Sequence, residues 1–306
     1  MLRISITCLS LLLLSCNKDT VPSSPTIRFT EQINVDGLNR SYIVRLPQQY
    51  YDSTKDWPLV VGLHGTGGNG AQFETGYGMS AKADEAGFIA VYPEGVVKAD
   101  GRGLFSIRTW NAGSCCDYAM YSNINDVKFI KTLINNLSDR FRVDRKRIYI
   151  TGMSNGGMMA YRLASELSDQ VAAVAIVSGN MVAPKDPALT GAVPILHIHA
   201  KADTKVPFNG GTGIGAVQFP PAMDGILYWV KRNNCDTVPT VEYGAGYQVQ
   251  KWSDAAGRAP VHLYLTDDGG HAWPSSSRQG RWGDEPSTAL HATNLVWEFM
   301  SRYSLP

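Results

Sequence analysis

The sequence predicts a single domain of the α/β class, built on a doubly wound and mostly parallel β-sheet. From residue 59 onward, short apolar or β-branched runs alternate with segments of helical period along the 306-residue chain. The run at 59–63 (L-V-V-G-L) is apolar throughout, which is typical of a strand buried on both faces. Hydrophobic residues make up 44% of the chain, enough for one large core, and no repeat or linker divides it.

The individual elements follow from the pattern of apolar and turn residues. Residues 27–35 and 41–46 are expected to pair as strands around the turn at Asp36-Gly37. Further strands are predicted at 59–63, 88–92, 147–151, 171–177, 195–199 and 261–265, and helices at 79–86, 123–137, 160–167 and 225–231. Ser287 is expected to cap a final helix.

The most informative stretch is 147–167, where a strand turns directly into a helix through the pattern G-x-S-x-G-G. A serine at so sharp a turn, here Ser154, has a strained backbone and a hydroxyl raised above the sheet edge. Side chains two residues before and two residues after Ser154 would collide at this turn, and Gly152 and Gly156 avoid the collision because they have none. The helix that follows directs free N–H groups and its positive dipole end toward developing negative charge. This arrangement is typical of the nucleophile of a serine hydrolase.

A serine nucleophile needs a base to take its proton and an acid to orient that base. His271 is the candidate base, because it lies in a glycine loop (D-D-G-G-H-A-W-P) just beyond the last predicted strand. Asp203 is the candidate acid, at the carboxyl end of another strand, where ligands bind in such sheets. Asp267 and Asp268 are alternatives, but they lie too close to His271 in sequence for the usual hydrogen bond.

The other histidines are given no direct part in the chemistry. His197 and His199 fall on one face of a predicted buried strand, so we expect them in the core or behind the site. His64 precedes a glycine turn and is interpreted as structural. No pattern singles out His262 or His291.

A second donor for an oxyanion is expected in the loop after the strand at 59–63. This loop reads H-G-T-G-G-N-G and is similar to the H-G-x-G loop of esterases. It points to the backbone N–H of Thr66, together with that of Asn155, as the oxyanion hole. Each such donor typically contributes ~3 kcal/mol of transition-state stabilisation. A phosphate-binding loop is excluded because no Gly-Lys-Ser/Thr follows.

Residues 1–15 combine one positive residue with an apolar run too short to span a bilayer, which predicts a signal peptide. The end of this run, L-L-S-C at 13–16, is similar to the bacterial lipobox, which implies cleavage before Cys16 and its lipidation. Several acyl chains would anchor the protein firmly at the periplasmic face or cell surface. Residues 16–26 are then a tether and residues 27–306 the catalytic domain. The alternative is an ordinary secretory leader, and in both cases the protein leaves the cytoplasm.

Three cysteines remain once Cys8 is assigned to the leader and Cys16 to the lipid. An oxidising compartment favours one disulfide among Cys115, Cys116 and Cys235. We expect Cys235 to pair with one of the other two, since a bridge that closes a long loop stabilises most. A vicinal bond between Cys115 and Cys116 is the alternative. The spacing of these cysteines is not that of a metal site.

Charge excludes one class of partner. The formal net charge is +1, and the chain has no basic tract or patterned basic stripe. Nucleic acid is therefore not an expected partner.

Several motifs together resemble a known family. They are L-H-G-T-G-G-N-G, T-W-N-A-G-S-C-C-D, the pair Asp126-Val127, G-M-S-N-G-G, H-A-K-A-D-T-x-V-P-F-N-G-G and G-G-H-A-W-P, spread over residues 63–274. The chain looks like the extracellular esterases grouped with polyhydroxybutyrate depolymerases and with feruloyl and acetylxylan esterases of carbohydrate esterase family one. One departure is Lys201-Ala202, where relatives more often carry glycine and a small residue.

The resemblance implies an α/β-hydrolase fold, with the triad in the order Ser154, Asp203, His271. It implies hydrolysis of carboxylic esters through an acyl-serine intermediate, with no cofactor and no metal. The expected substrates are feruloyl or acetyl esters of plant-wall polysaccharide, and the alternative is a polyhydroxybutyrate polyester. The indole faces of Trp110 and Trp273 are candidates for the substrate pocket, with Trp282 nearby.

Two rival functions belong to other classes. A serine peptidase of the prolyl oligopeptidase type also uses G-x-S-x-G-G, but this chain has no residues left to form its propeller domain. An inactive carbohydrate-binding relative would have lost a member of the triad, and none is missing here.

Overall fold

A computed structural model describes residues 25–98, 107–184, 191–276 and 283–306. The strands are β1 (Arg28–Val35), β2 (Leu38–Arg45), β3 (Trp57–Leu63), β4 (Ile89–Pro93), β5 (Val143–Met153), β6 (Ala173–Val177), β7 (Ile195–Ala200), β8 (Gly211–Thr212), β9 (Gln218–Phe219), β10 (Thr240–Gly244), β11 (Tyr247–Trp252) and β12 (Val261–Thr266). The α-helices are α1 (Gly70–Gly76), α2 (Met79–Ala86), α3 (Asp117–Tyr121), α4 (Asp126–Arg140), α5 (Asn155–Glu166), α6 (Ala222–Arg232) and α7 (Ala292–Met300). Short 3-10 turns lie at Gln48–Tyr50 and Ile214–Ala216.

Within these ranges the main sheet has ten strands in the order β1-β2-β4-β3-β5-β6-β7-β12-β11-β10. The six central strands, from β4 to β12 in that order, run parallel to one another. Antiparallel strands flank them, β1 and β2 on one side and the β10–β11 hairpin on the other. The predicted doubly wound, mostly parallel sheet in a single domain is therefore confirmed.

The sheet separates two apolar layers. Side chains alternate along β3, so that Leu59, Val61 and Leu63 join one layer while Val60 joins the other. The first layer is covered by α4, α5 and α6, and the second by α1, α2 and α7. All side chains of β3, β4, β6 and β7 are buried, as expected for strands covered on both faces.

Most predicted elements are present with shifted ends, and the helix at 79–86 has the predicted bounds. The hairpin of β10 and β11 was not predicted. Every residue of β10 is exposed, so no apolar period marks this strand in the sequence.

The predicted cap of the last helix is wrong: the side chain of His291, not Ser287, accepts the N–H of Asn294. Ser287 instead donates its hydroxyl to Asp268.

The cysteine pairing also differs from the favoured prediction. Cys115 and Cys116 form a vicinal disulfide, and Cys235 is a free, buried thiol. Cys235 lies near the amino end of β12, where its Sγ contacts the carbonyl of Ala259 at 3.4 Å. Cys116 packs at the opposite, carboxyl edge of the sheet, where its N–H bonds to the carbonyl of Trp110. Cys116 and Cys235 lie at opposite ends of the sheet, which excludes a bridge between them.

The predicted signal peptide, Cys8, Cys16 and most of the tether at 16–26 lie outside the described residues. Among the helices that are described, none has both the length and the apolar character needed to cross a bilayer.

Candidate active site

Ser154 occupies a strained turn between β5 and α5. Its backbone angles, φ 57° and ψ −124°, are rarely adopted by residues other than glycine, and such a conformation costs about 1–3 kcal/mol. The neighbouring glycines are required by close packing. A Cβ on Gly156 would lie 2.1 Å from the carbonyl oxygen of Leu63, and one on Gly152 would lie 2.3 Å from the Gly156 oxygen. The N–H of Ser154 bonds to Val177 O at 2.9 Å, which ties the turn to β6.

The structure brings the three predicted catalytic side chains together. His271 Nε2 lies 2.9 Å from Ser154 Oγ, and His271 Nδ1 lies 2.7 Å from Asp203 Oδ2. The carboxylate accepts the proton on Nδ1, so Nε2 is left free to accept the serine proton. Ser154 retains 8% exposure and His271 6%, whereas Asp203 is 3% exposed. Ser154 and His271 therefore keep a small exposed fraction, and Asp203 is more deeply buried.

The carboxylate of Asp203 is held from all sides. Its Oδ1 accepts the backbone N–H groups of Lys205 and Val206 at 2.9 and 2.8 Å. Its Oδ2 lies 2.7 Å from His271 and 3.4 Å from Nε2 of His199. Burial alone would raise the pKa of Asp203, but the hydrogen bonds from His199 and His271 hold that pKa well below its usual range. The acid is therefore ionised whenever the base is in use.

A chain of buried polar side chains extends behind the acid. His199 Nε2 donates to Val206 O at 2.8 Å, so its Nδ1 accepts, and it lies 3.0 Å from Nε2 of His197. The other nitrogen of His197 is 2.8 Å from the hydroxyl of Tyr161, which donates to it. Burial lowers the pKa of His197 far below its usual value, so this ring is neutral. The prediction that both histidines lie in the core behind the site agrees with this geometry.

Two backbone N–H groups lie beside Ser154 without a hydrogen-bond acceptor in the described part of the chain: those of Thr66 and Asn155. The loop that carries Thr66 packs directly on the elbow, since a Cβ on Gly65 would lie 3.3 Å from Ser154 Cβ. His64 orients the peptide between Gly65 and Thr66, because its Nδ1 donates to the Gly65 carbonyl at 2.8 Å. These are the amides expected to form the oxyanion hole, and that role stays a prediction.

The prediction that Trp110 and Trp273 line the substrate pocket is wrong, because both side chains are buried, with 0% and 1% exposure. The indole of Trp110 donates to His64 O at 3.0 Å and so supports the loop that carries Thr66. The indole of Trp273 stacks on Tyr77 at 4.7 Å and donates to Thr293. Both tryptophans therefore pack inside the protein and support the loops of the site. Trp282 lies outside the described residues.

A buried ion pair supports the loop of Trp110, and sequence reasoning did not identify it. Arg40 and Asp126 are 2.7 Å apart and almost fully buried. The second oxygen of Asp126 accepts the N–H of Asn111 at 2.8 Å, and Arg40 lies over the ring of Phe129. In the sequence, Asp126 is marked by its place in the pair Asp126-Val127 and in the first turn of the predicted helix, and nothing near Arg40 indicates its partner.

Asp284 is a second group that the sequence did not reveal. Its Oδ2 accepts the backbone N–H of His271 at 2.8 Å, and its Oδ1 is paired with Lys205. Burial opposes its ionisation, but the bonds from Lys205 and His271 lower the pKa of Asp284. The only indication in the sequence was the position of Lys205, which lies two residues after the candidate acid.

Among the residues that the structure describes, no three histidine, cysteine or acidic side chains are grouped so as to hold a metal ion. The triad and its supporting groups are all paired with protein atoms.

The sheet topology and the nucleophile elbow define the chain as an α/β-hydrolase fold. A family model described as Esterase PHB depolymerase matches residues 40–220, more than half of the chain, and the chain belongs to this family. It is 28% identical to "Feruloyl esterase B" of Piromyces equi over 280 residues, which are 87% of this chain and 46% of that protein. It is 30% identical to "Probable feruloyl esterase C" of Aspergillus clavatus over 240 residues, 76% of this chain and 75% of that one.

A solved structure, "Acetyl xylan esterase from Aspergillus awamori", superimposes with a TM-score of 0.61 at 14% identity. The match covers 89% of this chain and 99% of that one, and at this identity it supports the fold alone. The chain spans less than half the length of the Piromyces relative, so further parts of that protein have no counterpart in the match.

Proposed function

We propose that the chain is a serine carboxylic-ester hydrolase that works through an acyl-serine intermediate. The observation that carries the proposal is the unbroken line from Ser154 Oγ through His271 to Asp203, at 2.9 and 2.7 Å. Each of the three residues is the type that this chemistry requires, and each contacts the next through the atom that must transfer or hold the proton. The family and the names of the relatives support the same activity.

In the first half of the reaction, Ser154 Oγ forms a bond to the ester carbonyl carbon while its proton passes to His271 Nε2. The carbonyl oxygen becomes an oxyanion, which the free N–H groups of Thr66 and Asn155 would bind. Asp203, already ionised, stabilises the imidazolium through Nδ1. The tetrahedral intermediate then collapses, the bond to the alcohol oxygen breaks, and His271 gives its proton to that oxygen. The alcohol leaves and the acyl group stays on Ser154.

In the second half, a water molecule takes the place of the alcohol. His271 Nε2 accepts one water proton while the water oxygen attacks the acyl carbon. Collapse of the second oxyanion breaks the bond to Ser154 Oγ, which recovers its proton from the imidazolium. The products are the carboxylic acid and the unchanged enzyme.

For the substrate, we propose feruloyl or acetyl esters of plant-wall polysaccharide. The support comes from relatives whose names specify feruloyl ester hydrolysis. The buried state of Trp110 and Trp273 removes the argument from stacking on an aromatic acyl group. The second candidate is a polyhydroxybutyrate polyester, which the name of the matching family favours.

The test compares initial rates on methyl ferulate, acetylated xylan and hydroxybutyrate oligomers for the purified wild type, with Ser154→Ala as the blank. Release of ferulate or acetate at least tenfold faster than of hydroxybutyrate supports the polysaccharide assignment. The reverse order assigns the chain to the polyester. If no ester is turned over by the wild type, the proposal of hydrolase activity fails, and the rival of an inactive carbohydrate-binding relative gains support.

We propose that the protein lies outside the cytoplasm and is anchored by a lipid on Cys16. The support is the L-L-S-C sequence at 13–16. Expression of the full chain in a bacterial host, followed by separation of membranes, tests this anchor. The wild type is expected in the membrane fraction and Cys16→Ser in the soluble extracytoplasmic fraction or the medium. Equal distribution of the two proteins would leave an ordinary secretory leader as the explanation.

A further inference from the structure

The loops that carry the acid and the base are joined by a second link, separate from the triad itself. Lys205 follows Asp203 by two residues, and its ammonium is paired with Oδ1 of Asp284. The other oxygen of Asp284 accepts the backbone N–H of His271 at 2.8 Å. The N–H of Asp284 in turn bonds to His271 O at 3.1 Å, so both backbone groups of the base are held by one residue.

These contacts close a ring through the acid and the base. From Asp203, the Oδ1 atom accepts the N–H of Lys205 at 2.9 Å, and the side chain of Lys205 leads to Asp284. Asp284 accepts the backbone N–H of His271, and Nδ1 of the same histidine lies 2.7 Å from Asp203 Oδ2, which completes the ring. The triad holds only the ring of the histidine, whereas Asp284 holds its main chain. Both are needed to fix the position of Nε2.

The approach of Asp284 to the histidine loop depends on a glycine. A Cβ on Gly270 would lie 2.7 Å from both Cβ and Oδ2 of Asp284, so any side chain there would displace the carboxylate. The side chains of Lys205 and Asp284 keep 24% and 35% of their exposure. A partly exposed ion pair in general contributes little to folding stability. Its placement at the base therefore points to a role in geometry.

We propose that Lys205 and Asp284 are positioning residues, which hold the main chain of His271 so that Nε2 meets Ser154 Oγ. This inference rests on the proposed function, since it assigns the pair a part in the same reaction. Misplacement of a reacting group by about 1 Å can cost up to about a hundredfold in rate. Because neither side chain is expected to touch the substrate, the loss should fall on kcat and leave KM unchanged.

The chain offers a matched control. Lys201 and Asp267 join the same two loops, with Nζ and Oδ1 2.5 Å apart. Their side chains are 49% and 55% exposed, and no hydrogen bond connects this pair to the described atoms of the triad. If an ion pair between these loops mattered only for their stability, the two pairs would behave alike.

The experiment measures kcat and KM with p-nitrophenyl acetate for Asp284→Ala, Lys205→Met and the double variant. The melting temperature of each variant is measured separately, to check that it is folded. The experiment also includes Lys205→Arg as the conservative change, and Lys201→Met and Asp267→Ala as controls. The rate at which a fluorophosphonate labels Ser154 is a second readout of nucleophile activation. We expect roughly a tenfold or larger fall in kcat and labelling rate for the first three variants, at constant KM. The double variant should be no worse than Asp284→Ala, Lys205→Arg should recover most of the activity, and the controls should stay within twofold of wild type.

The inference is overturned if Asp284→Ala lowers kcat no more than Asp267→Ala does, or if its loss falls on KM alone. Failure of Lys205→Arg to recover activity counts against the ion pair as the link. An inactive wild type would instead contradict the proposed function, so the two failures are distinguishable.

Discussion

The side chain of Asn155 is hydrogen-bonded to both backbone groups of Trp110. Its Oδ1 accepts the N–H of Trp110 at 2.7 Å, and its Nδ2 donates to the Trp110 carbonyl at 3.0 Å. The indole of the same tryptophan donates to His64 O, in the loop that supplies the other N–H beside Ser154. The residue next to the nucleophile thus connects both halves of the proposed oxyanion hole, through its main chain on one side and its side chain on the other.

Replacing Asn155 by alanine keeps its own backbone N–H but removes both bonds to Trp110. The buried N–H of Trp110 is then left unpaired, whereas its carbonyl still accepts the N–H groups of Ala112 and Cys116, so we expect a loss of about 1–3 kcal/mol in unfolding free energy. The displaced loop should also lower kcat about tenfold or more, because a donor of the proposed oxyanion hole moves. Urea unfolding and steady-state kinetics measure the two effects.

Asn233 supplies the control for this prediction. Its side chain accepts the N–H of Val193 at 3.1 Å and donates to the Val193 carbonyl at 2.7 Å, and it also donates to the Ala259 carbonyl at 2.9 Å. Asn233→Ala should therefore lose at least as much stability as Asn155→Ala, while its kcat stays near that of the wild type. Equal kcat values for the two variants would mean that the grip on Trp110 is structural only.

The buried chain behind Asp203 predicts a graded series of effects. His199→Phe removes the member of this buried chain that is nearest the carboxylate, His197→Phe removes the donor to His199, and Tyr161→Phe removes the terminal hydroxyl. We expect kcat to fall most for the first, by about tenfold, and least for the last, with KM unchanged in all three. Each change leaves a buried polar atom unpaired, at about 1–3 kcal/mol, so melting temperatures should fall in all three variants. A fall in kcat of equal size along the series would contradict transmission to the acid.

His64 predicts a dependence of stability on pH. Burial lowers its pKa to about 4, and its Nε2 accepts the N–H of Gly95, a bond that the protonated ring cannot accept. Between pH ~6.5 and ~4 the unfolded chain binds this proton and the folded one does not, so unfolding is favoured as the pH falls. This histidine alone should lower the free energy of unfolding by about 3 kcal/mol over that range, and the loss should be complete below pH ~4.

Urea unfolding of wild type and His64→Gln at pH 7, 5.5 and 4 checks this sign and size. The variant is expected to be less stable at pH 7 but to lose about 3 kcal/mol less on acidification. Parallel curves for the two proteins would show that His64 is not the group responsible.

The fold and the meeting of the three candidate catalytic side chains were predictable because each is marked by a local pattern. The alternation of strands and helices identifies the sheet, and the glycines around Ser154 are required by the close approach of the chain at the elbow. Asp203 and His271 follow the ends of β7 and β12, which are parallel neighbours in the sheet. The carboxyl ends of such strands lie at one edge, so the order of motifs in the sequence was enough to bring them together.

The supporting groups were not predictable, because their contacts are set by packing between distant segments. The direction of a side chain in a loop is not visible in its type, so the burial of Trp110 and Trp273 was missed. Asp284 reaches the base only because Gly270 leaves room for it. The β10–β11 hairpin has no buried stripe on its outer strand, and the vicinal disulfide competes with a longer bridge that no sequence spacing excludes.

The central claim is that the hydroxyl of Ser154 forms the acyl intermediate. Its most direct test is the kcat of Ser154→Ala on p-nitrophenyl acetate, with Ser165→Ala as a control for loss of a buried serine in α5. We predict that Ser154→Ala loses at least about a thousandfold in kcat while it remains folded, and that Ser165→Ala retains its activity. Equal rates for Ser154→Ala and the wild type would contradict the account.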